Sequence, residues 1–149
     1  MRGLIKLIVV VAVVFFVWKE VLPKITTHSV AQPNSGTSAG TNCVFEARGA
    51  SDYWSGTLPR FANPPYDMTA WSDFKSTLDR RIGRAQEKCS CAAESCNLGK
   101  QAMDDLTALE NEMDSAIRNA SSPPSDLVQR QDRIENTINA ANDAAERQK

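Results

Sequence analysis

Histidine is almost absent: the 149 residues contain one, His28, and it stands in a stretch of small polar residues. A Ser-His-Asp or Cys-His catalytic set is therefore not expected on folded residues, and a zinc site would lack the imidazole that often completes it. The phosphate-cradling patterns G-x-x-x-x-G-K-S/T and G-x-G-x-x-G are missing, as is the metalloprotease pattern H-E-x-x-H. No charge of one sign dominates. Seventeen Lys and Arg against eighteen Asp and Glu leave a net charge of −1, so no general field draws in nucleic acid. Neither an enzyme, a cofactor nor a small-molecule substrate is expected. Acidic pairs such as Asp104-Asp105 read as a solvated helix face, and so does the basic run Arg80-Arg81-x-x-Arg84.

What is present is unevenly spread. Residues 7–18 run without interruption through Leu, Ile, Val, Ala, Phe and Trp. A dozen residues are short for a membrane span, which needs about 20. Counted from Leu4 to Leu22, with Lys6 reaching back to the headgroups and Trp18 at the interface, the length suffices. Ser29-Val30-Ala31 has the small residues of a signal-peptidase site, but it lies more than ten residues beyond Trp18. Residues 1–24 therefore read as an uncleaved transmembrane signal anchor. Arg2, Lys6 and the amino terminus keep the N-terminus cytoplasmic and put the remainder in the periplasm or outside the cell or virion. Met1-Arg2-Gly3 before an apolar stretch resembles pilin-like leaders, with Ile8 where that pattern has glutamate.

Residues 25–42 are dominated by Ser, Thr, Gly, Asn and Pro and read as a flexible linker. Residues 43–66 interleave Phe45, Tyr53, Trp54, Phe61 and Tyr66 with Pro59, Pro64 and Pro65. The prolines argue against a helix and the rings against disorder, so an irregular loop strapped over a helical core is expected. Trp54-Ser55-Gly56 resembles the W-x-G turn of small secreted helical-hairpin proteins, where that motif joins two helices.

The strongest periodic signal follows. Met68, Trp71, Phe74, Leu78, Ile82, Ala85, Cys89, Ala92, Cys96, Gly99, Met103, Leu106, Leu109, Met113 and Ile117 step by threes and fours, the spacing of one helix face. The seam describes either one long helix with a shorter antiparallel partner or a chain that folds back near residues 94–99. The fold-back would set Arg84 near Glu112 and Lys88 near residues 105–110, and Asn97 would serve as a cap. Asp67 caps the first helix; Ser122 caps the last, with Pro123 at its first position. The expected fold is all-α: a disulfide-stapled antiparallel bundle over residues 67–149, with helices at about 67–93, 98–120 and 123–147.

Four cysteines, Cys43, Cys89, Cys91 and Cys96, are an even number in a chain that passes a membrane, which reads as two disulfides. Cys89 and Cys96 lie about 10 Å apart on an unbroken helix, beyond disulfide reach. Two intrachain bonds thus require the helix to break between them. Cys43–Cys91 with Cys89–Cys96 is the favoured pairing. The alternative is metal or redox handling by a Cys89/Cys91/Cys96 thiolate cluster, copper suiting it better than zinc. The expected role is a membrane-anchored interaction or structural module that docks a protein partner or a second copy through its helix faces. Its setting would be an envelope or membrane-associated assembly such as a secretion, pilus, lysis or virion complex. Asn119-Ala120-Ser121 is a glycosylation sequon, meaningful in a eukaryotic host.

Overall fold

The computed structural model describes residues 35–148. Four helices and no strand occur among them: α1 (Ser35–Thr57), α2 (Met68–Lys88), α3 (Glu94–Arg118) and α4 (Leu127–Glu146), with a 3-10 turn, Leu58–Phe61, after α1. The anchor read from residues 1–24, the pilin-like start and His28 lie outside the described residues. No described helix is long and apolar enough to cross a membrane.

Consecutive helices run antiparallel, as the paired positions show. Cys43 meets Cys89, while Tyr53 stacks on Phe74 further along both helices. Gln86 meets Asp104, while Trp71 meets Asp114. Arg147 meets Glu94, while Arg130 meets Glu112. α4 returns to α1, where Arg48 donates to Asn139 and Val44 packs with Ala141 and Ala145. The result is an up-down-up-down bundle closed around one core.

The long seam supplies most of that core. Every one of its members from Trp71 to Ile117 is buried except Ala92, while Met68 at its head is exposed. The seam keeps its phase through two separate helices because the break at 89–93 is one short turn. α4 adds Ile134, Ile138, Ala141 and Ala145, the face legible in its sequence. Five rings fill the end of the bundle near the α1–α2 connection. Phe74 lies 5.3 to 5.9 Å from Tyr53, Trp54, Phe61 and Trp71, centroid to centroid.

α1 overturns two expectations: part of the linker (35–42) and most of the irregular loop (43–66) are helix. The prolines are real breakers, but they stand at 59, 64 and 65, beyond the helix end. Gly40, Cys43, Val44, Ala47, Ala50, Ser51, Trp54 and Leu58 form a helical stripe, and all are buried. Small residues there let α1 approach α3 closely. A Cβ on Gly40 would collide with the Ser95 hydroxyl. Packing thus outweighs the poor helix propensity of the Ser-Gly-Thr stretch. The bundle consequently has four helices instead of three, and Trp54-Ser55-Gly56 sits where α1 gives way to the turn toward α2.

Other boundaries move for local reasons. Asp67 caps α2, accepting from the Ala70 amide at 2.9 Å, as expected. The fold-back comes at 89–93, so Asn97 lies within α3 and is no cap. α4 begins at Leu127 after Asp126, four residues later than the Ser122-Pro123 start, because residues 121–124 form an irregular connection and residues 125–126 a turn. Tyr66 donates to the Ser121 carbonyl at 2.8 Å and so joins the two connections at that end.

Candidate functional site

The four cysteines gather at the opposite end of the bundle. α2 stops at Lys88 and α3 starts at Glu94, which is the break that two disulfides require. The pairing differs from the favoured one: Cys43 bonds Cys89, with Cα atoms 4.6 Å apart, and Cys91 bonds Cys96 at 5.6 Å. Cys89 closes α2 on the face turned to α1, so it meets Cys43 directly. Cys91 has left the helix and reaches forward to the first turn of α3. Cys43, Cys89 and Cys96 are buried, and Cys91 is partly exposed. No described cysteine is free, and no group of three His, Cys, Asp or Glu among the described residues is placed to hold a metal. A disulfide sulfur is not the thiolate on which the metal reading depended.

Gly99 makes this packing possible. It stands one turn into α3 against both sulfurs of the Cys43–Cys89 bond, and a Cβ there would overlap them. The Ser95 hydroxyl, also buried, has no hydrogen-bond partner beside Gly40.

A second feature lies on the α1/α2 face. Arg80, Arg81 and Arg84 from α2 line a groove of about 200 Å³ with Thr77, and α1 contributes Glu46, Gly49 and Ala50. Arg81 lies over the Tyr53 ring, its guanidinium carbon 4.6 Å from the centroid. Arg80 donates to the Ser76 carbonyl and to the Thr77 hydroxyl. Arg84 reaches Glu46 at 4.0 Å and not Glu112, which instead pairs with Arg130. The α2/α3 register explains this correction: Gln86 faces Asp104, so residues near 105–110 lie opposite the middle of α2, away from Lys88. The basic run itself is visible in the sequence. Its groove is not, because the wall comes from α1, a segment whose composition suggests a loop.

A third feature is a polar cluster between α2 and α3. Glu110 is fully buried and accepts a hydrogen bond from Lys75, while its second oxygen has no partner. Burial pushes its carboxyl above the ordinary glutamate range, against the pull of Lys75, and the nearby Asp79 carboxylate adds to the rise. Next to it Trp71 donates through Nε1 to Asp114 at 2.7 Å, and Arg118 donates to the other oxygen at 2.8 Å. Partial burial raises Asp114, but these two donors outweigh it and hold the carboxyl below its usual range. Glu110 is enclosed while Lys75 and Asp114 keep part of their surface in solvent, and none of the three lines the surface grooves described. The clue in sequence is position: Glu110 falls beside Leu109, one turn before Met113, at the edge of the buried seam.

No protein family, no curated protein and no solved structure matches this chain.

Proposed function

We propose that the chain is a membrane-anchored, extracytoplasmic interaction module. In this reading residues 1–24 span the bilayer, and the four-helix domain docks a protein partner or a second copy through its outer helix faces. The observation that carries it is the pairing of all four cysteines into two disulfides, read together with the apolar run at residues 7–18. Disulfides persist in oxidising compartments, and an apolar run flanked by Arg2 and Lys6 is what places a following domain there. A domain of this size has a modest core, and two covalent staples offset that. The module would serve an envelope or membrane-associated assembly. Metal binding by the Cys89/Cys91/Cys96 cluster is not carried forward, because it needs reduced thiolates, and no observation favours a redox role for the two disulfides over a structural one.

The test is expression of the full chain, followed by alkaline extraction of membranes and protease treatment from the outer side. A photo-crosslinking residue at exposed Asn136 on α4, in the open furrow between α3 and α4, reports contacts. The reading expects an alkali-resistant, externally cleavable chain and an adduct of discrete mass. A chain released at alkaline pH, or one shielded from outside protease in intact cells, contradicts the placement. A ladder of unspecific adducts contradicts the docking role.

A further inference from the structure

Why three arginines should crowd one groove is unexplained by a solvated helix face. We propose that the Arg80/Arg81/Arg84 groove binds the phosphate of an anionic phospholipid and so seats the α1/α2 face on the bilayer. This rests on the anchor reading of residues 1–24.

The donors are held in place yet largely unspent. Tyr53 supports Arg81 by stacking, which uses none of its N–H groups. Arg80 is steadied by Ser76 and Thr77 through two nitrogens only. Arg84 has one carboxylate partner, Glu46, at the long distance of 4.0 Å. Each guanidinium carries five N–H donors, and its fork fits phosphate oxygens in pairs. With Glu46 the only acid in the lining, three positive charges face one negative.

The groove also has room. Nothing lies within 4 Å of the point where a Cβ on Gly49 would stand. One helical turn before it on the same stripe of α1, outside the groove lining, the Phe45 ring is 74% exposed. Rings and arginines together suit the interface of an anionic bilayer, where the ring sits at headgroup depth and the guanidiniums meet phosphates.

Chain length points to a lipid as occupant. Ten residues, 25–34, separate the anchor segment from α1. Even fully extended they span at most about 35 Å, so the bilayer is always within reach. A site with such a tethered surface meets its ligand at high local concentration.

The experiment reconstitutes the full chain in vesicles of pure phosphatidylcholine and in vesicles with 40% phosphatidylglycerol. Co-flotation with the neutral vesicles at alkaline pH reports the anchor by itself. Labelling with p-hydroxyphenylglyoxal, read by peptide mass, then reports each arginine. The proposal expects Arg80, Arg81 and Arg84 to label at least fivefold more slowly in the anionic vesicles, with Arg118 and Arg147 unchanged. Gly49→Glu, which fills the groove with negative charge, is expected to abolish the protection while both disulfides still form. Equal labelling in the two lipids overturns the proposal even when the chain floats, and so does protection that survives Gly49→Glu. Equal slowing by 10 mM inorganic phosphate in detergent, without a difference between lipids, makes the groove a free-phosphate site and overturns the docking. Failure to float with neutral vesicles removes the anchor reading, and the docking with it.

Discussion

Gly99 stands so close to the Cys43 sulfur that no side chain fits between the α3 backbone and the disulfide. The contact ties the helix start to the covalent staple, because the bonded Cys89 Sγ lies against the same bare Cα, 2.9 Å from the place a Cβ would take. Gly99→Ala is expected to destabilise the bundle by about 1–3 kcal/mol through overpacking. It should also slow formation of Cys43–Cys89. Urea denaturation with intact disulfides checks the first, and thiol trapping during oxidative refolding checks the second. A substitution that leaves both unchanged would show that α3 does not press on the bond.

The two disulfides should contribute unequally. Cys43–Cys89 closes a segment with a sequence separation of 46, whereas Cys91–Cys96 spans 5. Loop-closure entropy then predicts a loss of about 4 kcal/mol when the first is removed and about 2 kcal/mol for the second. Paired Cys→Ser variants, Cys43→Ser with Cys89→Ser and Cys91→Ser with Cys96→Ser, compared by denaturant midpoint, test the ranking. Equal losses would contradict it.

Phe74 touches four other rings and is 3% exposed. Phe74→Ala is expected to cost about 3–5 kcal/mol and to disturb the near-ultraviolet signal of Trp54 and Trp71. A loss below about 1 kcal/mol would mean that the rings do not form one packed unit.

The α2 and α3 cores were legible because the 3.6-residue period of Trp71–Ile117 survives the turn at 89–93. The need for a break between Cys89 and Cys96 was legible from helix rise alone. α1 was not, although its stripe from Gly40 to Leu58 has the same period. Its members are mostly Gly, Ala, Cys and Ser, which carry little hydrophobic contrast, and the helix-breaking prolines at 59, 64 and 65 lie past its end. Losing α1 also hid the arginine groove. The cysteine partners depend on which face Cys89 presents at the end of α2 and on how far Cys91 has left that helix, and spacing does not encode either.

Burial raises Glu110, so the folded chain holds that proton more tightly than the unfolded chain does. Its stabilising contribution is complete below the ordinary glutamate range and is lost as pH rises through the folded value. Glu110→Gln should therefore gain stability relative to the parent as pH rises above about 4. Asp114, held low by Arg118 and Trp71, acts in the other direction, and its contribution is lost as pH falls through its own folded value, below about pH 4. Urea midpoints of the parent and Glu110→Gln across this range decide the matter. A difference that stays constant with pH would show that folding leaves the Glu110 carboxyl unshifted, the pull of Lys75 offsetting burial.

The two disulfides close the helical domain, and the anchor and export of that domain are what we propose. The most direct measurement is mass spectrometry of the full chain taken from membranes without reductant, digested with trypsin and Glu-C and fragmented between Cys89 and Cys91. The account predicts an intact N-terminal segment, no alkylated thiol, and Cys43–Cys89 with Cys91–Cys96. Free thiols at Cys89, Cys91 and Cys96, or a chain trimmed near Ala31, would contradict it.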